Sequence, residues 1–340
     1  MGSINTSGSF SSLSFSKERG MKGQRSPLRG RLAVFSTGSC KFKFVVGLIV
    51  VLLTIYCASH TTSMMGWNLP TDQRLLSPEL AARHRYTVLV NTWKRYELLK
   101  QTVAHYATCN NVDAINVIWS EPEKPSKALS AKLRESLEHK VKFKFNINEV
   151  DELNNRFKPI QDIETDALFS IDDDVLVPCH TMDLAFRVWL SAPDQTVGFV
   201  PRMHWAQKME YGQERYRYGG WWSVWWTGTY SMVLTKASFI HKKYLEMYTN
   251  QMPTSLLEFV KRERNCEDIA MSFLVANATH APPIWVKGRI YEIGSTGISS
   301  LTGHKEHRTN CVNYFTETFG HMPLVSTRVK VIDSASEWLW

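Results

Sequence analysis

The 340-residue chain contains no Cys-x-x-Cys pair and no His-x-x-x-His spacing, which removes the usual signatures of a zinc site. It has no Gly-x-Ser-x-Gly elbow, no Walker phosphate loop and no dinucleotide-binding glycine fingerprint. The chemistries those motifs serve have no footing here. No internal repeat is visible. Charge of one sign is missing from most of the chain as well. The formal net charge is +8, but eight Lys and Arg stand against Glu18 alone before residue 44. The rest is neutral to within about one charge, so a nucleic-acid role has no electrostatic support.

No Asp, Glu, Lys or Arg appears from Phe44 to Thr71. The densest apolar part, 44–59, is shorter than the ~20 residues a spanning helix needs. The uncharged run continues through Met64 and Met65, and Trp67 could sit at the far interface. A cleaved signal peptide does not suit the long basic segment in front. A core helix does not suit Val45–Leu53, which has no polar face. The expectation is a signal anchor over 44–65. By the positive-inside rule it leaves a disordered cytosolic tail (1–43), a stem (66–84) and a luminal domain (85–340). Cys40 and Cys57 flank or lie in the span, where palmitoylation is possible. Cys109, Cys179, Cys266 and Cys311 belong to the body, and an oxidising lumen allows some of them to pair. Asn277, in Asn277-Ala278-Thr279, is a glycosylation candidate that follows a helical run and so is partly shielded.

The body alternates. YTVLVNTW (86–93), AINVIWS (114–120), VKFKFNI (141–147) and DALFSI (166–171) read as strands, and helical patterns separate the first three and follow the last. That order predicts an α/β open sheet, mostly parallel. Ligands of such sheets bind outside the carboxyl ends of the strands. Asp172, Asp173 and Asp174 fall there. Three adjacent carboxylates near a core are costly to keep charged without a partner. A divalent cation, Mn²⁺ or Mg²⁺, would neutralise them and clamp a diphosphate. The bland alternative is a solvated acidic turn. Glu267 and Asp268 open an apolar helix, where acids also satisfy free N–H groups. Trp221, Trp222, Trp225 and Trp226 form two pairs four residues apart. They suit an acceptor platform for sugar rings or for a lipid-linked acceptor, or else ordinary core packing.

VLVNTWKRYELL, LNNRF, FSIDDDVLVP, VGFVPR, YSMVL, NCEDIAMSF and MPL occur in one order and spacing. Together they resemble the exostosin-like glycosyltransferases, family 64, over residues 85 to 330. GGWWSVWW and VKGRIYEIGSTGISS resemble the plant branch most. The resemblance implies a GT-A fold, a single Rossmann-like nucleotide-sugar domain, and retaining, Mn²⁺-dependent transfer from a nucleotide sugar. For the plant branch it implies a Golgi type II enzyme moving mannose from GDP-mannose to glycosyl inositol phosphorylceramide sphingolipids. It also implies roles for single residues. Asp174 would ligate the metal and Asp172 would contact the sugar of the nucleotide, with Asp173 beside them in the donor site. Arg95 and Arg156 would line the nucleotide site, Arg308 would reach the diphosphate, and Asp268 would stand beside the anomeric carbon. Cys266 and Cys311 would form a disulfide. Animal members often read Cys-Asp-Asp where this chain reads Cys266-Glu267-Asp268, which leaves Glu267 without an assigned role. A UDP-sugar-dependent N-acetylhexosaminyltransferase and a carbohydrate-binding pseudoenzyme are the alternatives.

Overall fold

A computed structural model describes residues 40–64, 84–137, 141–208, 214–294 and 303–334 of the chain. Nearly all of the expected basic tail and stem lies outside these residues. The chain divides into two units, Met1–Leu69 and Pro70–Trp340. The first contains helix α1, Cys40–Met64, on the segment expected to be the anchor. Its described side chains, 42–57, are all exposed. Among the described residues no helix is long and apolar enough to cross a membrane.

The second unit is built on one large sheet. Strand β1 (Tyr86–Thr92) leads to helix α2 (Tyr96–Ala107), β2 (Val112–Trp119), α3 (Lys127–Glu135) and β3 (Lys142–Ile147). Ser126 caps α3, its hydroxyl accepting from the Leu129 N–H, as an N-cap serine does. A 3-10 turn (Leu153–Phe157) precedes β4 (Ala167–Asp172), and β5 (Val175–Leu176) and α4 (Cys179–Ser191) follow. Next come β6 (Val197–Gly198), a hairpin of β7 (Pro201–Lys208) and β8 (Glu214–Gly219), helix α5 (Trp221–Thr227), β9 (Met232–Val233) and β10 (Ala237–His241). Helices α6 (Lys243–Gln251), α7 (Thr254–Glu263) and α8 (Glu267–Thr279) lead to β11 (Ile284–Lys287) and β12 (Tyr291–Glu292), and α9 (His304–Phe319) to β13 (Lys330–Ile332).

The sheet order is β13-β11-β6-β10-β4-β1-β2-β3. Only β10 runs antiparallel to its neighbours. Alternation along the strands feeds two cores. Val88 and Val90, with Phe169 and Phe239, face Leu99, Val103, Met182 and Phe186. Leu89, Leu168 and Ile240 face Tyr244, Tyr248, Ile269 and Phe315 on the other side. The period of two in a strand produces this split, and helices cover both faces.

The chain runs outward from β1 to β2 and β3, then returns to lay β4 on the other side of β1. That reversal opens a crevice at the carboxyl ends of β1 and β4. The two ends are level, with Asn91 opposite Asp172 in the register.

Candidate active site

The three aspartates leave β4 at the switch point and turn in different directions. The Asp173 side chain is fully buried, whereas those of Asp172 and Asp174 are 25% and 21% exposed. Asp173 is held by the fold. Its N–H donates to the Asn91 carbonyl at 3.1 Å, and its own carbonyl accepts from the Thr102 hydroxyl at 2.7 Å. Thr92 donates to Oδ2 at 2.6 Å, and Arg95 pairs with Oδ1. Burial pushes the Asp173 pKa up to about 6, although Thr92 and Arg95 pull against it. Asp172 and Asp174 keep part of their side chains open at the strand ends.

Three arginines answer the acids. Arg95, just ahead of α2, bridges Asp173 and Asp174, meeting Asp174 Oδ2 at 2.6 Å. Arg156 is buried on the 3-10 turn. It reaches Asp172 Oδ1 at 2.5 Å and Glu267 Oε1 at 3.4 Å, and it also donates to the Thr235 carbonyl at 3.1 Å. Arg308, from α9, gives Nη2 to both oxygens of Asp268 at 2.5 and 2.6 Å, and Nη1 to the Tyr218 hydroxyl at 2.9 Å.

Asp268 also accepts from the first turn of its own helix, the Ile269 N–H donating to Oδ1 at 2.7 Å. Burial works to raise its pKa, but the charge and hydrogen bonds of Arg308 outweigh burial and hold it below the usual carboxylate range. Glu267 lacks such a partner. Burial and the adjacent Asp268 raise its pKa to about 7, against the pull of Arg156 and Arg308. The two neighbouring acids are thus pushed in opposite directions, Asp268 toward its charged form and Glu267 toward its neutral one.

A disulfide joins Cys266, immediately before α8, to Cys311 in α9. It ties together the helices that carry Asp268 and Arg308. A second joins Cys109 to Cys179. Among the described residues, the His/Cys/Asp/Glu groups close enough to share an ion are His105–Cys109–Cys179 and Cys266–His307–Cys311. Their sulfurs are bonded to each other in both cases, so neither is a metal centre. The three aspartates do not bring an oxygen each together in that way, so a hard divalent cation there would rest on one or two carboxylates. Asp172 and Asp174 each direct one oxygen to an arginine, and among the described residues no donor reaches the other. One or two carboxylates with the remaining ligands from substrate phosphate is the usual way Mg²⁺ is held.

Arg95, Arg156 and the three aspartates therefore gather at the strand ends, and Asp268 with Arg308 forms an adjoining buried pair. Arg156 links the two groups through Asp172 and Glu267. The sequence reading missed Thr92, Thr102 and Tyr218, and it left Glu267 without a part. Thr92 lies within VLVNTWKRYELL and Tyr218 directly precedes GGWWSVWW, but only the folded chain shows what their hydroxyls bond. The four tryptophans do not join the carboxylates. Trp221 is 45%, Trp222 76%, Trp225 61% and Trp226 81% exposed, which excludes core packing. Asn277 is half-buried in α8, and the Thr279 hydroxyl of its sequon donates to the Val275 carbonyl at 2.7 Å.

The family model described as "Glycosyl transferase family 64 domain" matches residues 86–338. The chain belongs to glycosyl transferase family 64. It is 55% identical over 308 residues to glycosylinositol phosphorylceramide mannosyl transferase 1 of Arabidopsis thaliana, with 89% of this chain and 91% of that protein aligned. It is 30% identical over 303 residues to exostosin-like 2 of Mus musculus, covering 84% of this chain and 89% of that one. Exostosin-2 of Homo sapiens is 34% identical over 248 residues, 70% of this chain but 33% of that much longer protein. The chain is a glycosyltransferase, and this family implies a nucleotide-sugar donor and a glycan acceptor.

Proposed function

We propose that the chain is a retaining mannosyltransferase of GT-A architecture. It uses GDP-mannose and Mn²⁺ and acts on the glycan head group of glycosyl inositol phosphorylceramide sphingolipids. The observation that carries the sugar and the acceptor is the 55% identity to the Arabidopsis mannosyl transferase across 89% of this chain. The site supports it with acids and arginines at the crevice where nucleotide ligands of such sheets bind. The proposal includes a Golgi location and a type II anchor. Helix α1 supports the anchor by showing water only apolar or neutral side chains over 44–57.

Asp174 would hold Mn²⁺, whose charge would compensate that of the leaving diphosphate. The protein does the rest. Asp172 takes the sugar of the nucleotide while Arg156 holds it in place. Arg95 keeps Asp174 turned toward the crevice. Arg308 shares its donors between Asp268 and the departing diphosphate. Asp268, kept ionised by that arginine, stabilises the positive charge that grows at the anomeric carbon. Both of its oxygens already accept from Arg308, and Oδ1 also accepts from Ile269. A carboxylate so engaged is a poor nucleophile. This favours front-face transfer, in which the leaving phosphate oxygen takes the proton of the acceptor hydroxyl, over double displacement through Asp268.

A donor screen on the full chain with Mn²⁺ tests the reading. GDP-mannose should be hydrolysed and transferred faster than any UDP-sugar. Faster turnover of a UDP-N-acetylhexosamine would replace the proposed donor, and no turnover with any donor would favour a binding role.

A further inference from the structure

Among the described residues of the second unit, helix α5 holds the most exposed indoles. Val224 is its buried side chain and packs with Met203, Tyr230 and Val233. The spacing of four sets Trp221 by Trp225 and Trp222 by Trp226. Trp222 and Trp225 meet edge to face at 5.9 Å, and Trp225 and Trp226 tilt together at 6.3 Å. Gly228 ends the helix at φ 65°, where a side chain would be strained.

The C-terminal strand lies alongside. The Tyr230 N–H donates to the Thr327 carbonyl at 3.0 Å, and its hydroxyl donates to the Val329 carbonyl at 2.5 Å. The side chain of Val329 is 74% exposed, between exposed Arg328 and Lys330. The Lys330 ammonium stands 5.3 Å from the ring centre of Trp285, which packs edge-on to Trp221 at 5.8 Å. Bare indoles, an exposed valine and two cations thus share one surface. Indole rings settle at the boundary of headgroups and acyl chains, and lysine and arginine beside them favour anionic lipid.

We propose that α5 and residues 328–330 form a foot that rests on a lipid surface. Trp222, Trp225 and Trp226 enter the headgroup boundary, while Arg328 and Lys330 meet anionic lipid phosphates. Only Gly219 and Gly220 separate Trp221 from Tyr218, whose hydroxyl bonds Arg308. A Cβ on Gly219 would come within 2.5 Å of the Met203 side chain, so this link is closely packed. The foot is therefore linked to Asp268 through Tyr218 and Arg308, and the enzyme takes its acceptor where it lies in the bilayer. This purpose rests on the lipid-acceptor reading; the membrane contact itself does not.

The test uses the full chain in phosphatidylcholine vesicles with and without phosphatidylinositol, so that α1 is common to every variant. Lipids brominated near the headgroup end should quench the tryptophan fluorescence. W222S/W225S/W226S should lose most of that quenching. Its KM for lipid acceptor in vesicles should rise about tenfold or more, the scale expected when indole burial is lost, while donor hydrolysis and KM for the free head-group glycan stay unchanged. R328Q/K330Q should weaken only the response to phosphatidylinositol. Equal losses on free glycan and vesicles would make the indoles a sugar platform and overturn the proposal. Unchanged quenching in the triple variant, or a dimer in light scattering that this variant dissolves, would overturn it too. If no lipid accepts sugar, the function reading fails alone, because quenching still reports the contact.

Discussion

Asp268→Asn separates catalysis from architecture, and the structure sets the size of each effect. Asp268 is buried and chelated by Arg308, whose pKa its charge raises despite the opposing cost of burial. Breaking a buried pair by deleting one partner costs about 3–5 kcal/mol, because a charge is left uncompensated. Asparagine is milder. Its Oδ1 still accepts from Ile269 and from Arg308. Glu267 also responds. Asp268 is one of the groups that raise its pKa, so removing that charge lets Glu267 ionise more fully and take up part of the field of Arg308. The expected loss of stability at neutral pH is therefore on the order of 1–2 kcal/mol. The expected loss in kcat is about 10²–10³-fold, the scale seen when one preorganised electrostatic group is removed from a transition state. Donor affinity should change by less than about threefold, since the charge acts as the bond breaks. Urea midpoints, calorimetric titration with the donor nucleotide and initial rates measure the three quantities. A parallel loss of donor affinity and kcat, or a kcat within about threefold of the parent, would refute the role given to Asp268.

Three further perturbations bear on the same site. Glu267 is raised in the fold to about 7 from an ordinary 4.5. Its contribution is therefore complete below about pH 4.5 and disappears as pH rises through about 7, on the order of 2–3 kcal/mol in total. Urea midpoints at several pH values should decline more steeply in the parent than in Glu267→Gln, which keeps only the part that comes from Asp173, and equal declines would remove Glu267 as a source. Asp174→Asn should abolish metal-stimulated turnover while leaving the thermal midpoint within a few degrees, because its side chain is partly exposed and held only by Arg95 among the described residues; metal-stimulated rates equal to the parent's would move the metal elsewhere. The Cys109–Cys179 bridge spans a sequence separation of 70 residues. Replacing both with alanine should lower unfolding free energy by about 2–4 kcal/mol under oxidising conditions, and the difference from the parent should disappear when both proteins are reduced, which opens Cys266–Cys311 in each; a difference that survives reduction would show that the cost is packing and not the bridge.

The first half of the fold was legible in the sequence because local pattern and tertiary role agree there. YTVLVNTW, AINVIWS, VKFKFNI and DALFSI fall on β1 to β4 within two residues at each end, since strands buried by helices must be apolar and β-branched. The second half was harder. Strands β6 and β9 have two residues each, too few for a periodic signal. The reversal of β10 depends on which neighbour it meets, which its own residues do not state. The site shows the same division. The aspartates stood out because adjacent charges at the end of an apolar strand are locally anomalous. Their partners lie far away in the chain, with 79 residues between Arg95 and Asp174 in numbering and 111 between Arg156 and Glu267. No local pattern carries that pairing. The opposed fates of Asp173, turned inward to Thr92, and Asp174, turned outward to Arg95, also depend on the fold, because three identical residues in a row look alike until the backbone turns.

Manganese scattering from crystals of the full chain grown with Mn²⁺ and GDP-mannose addresses the proposed donor chemistry most directly. The expected map places the ion against Asp174 and the donor pyrophosphate, in the crevice between the ends of β1 and β4, with Asp268 beside the anomeric carbon. An ion bound away from Asp174, or a pyrophosphate lodged outside that crevice, would contradict it.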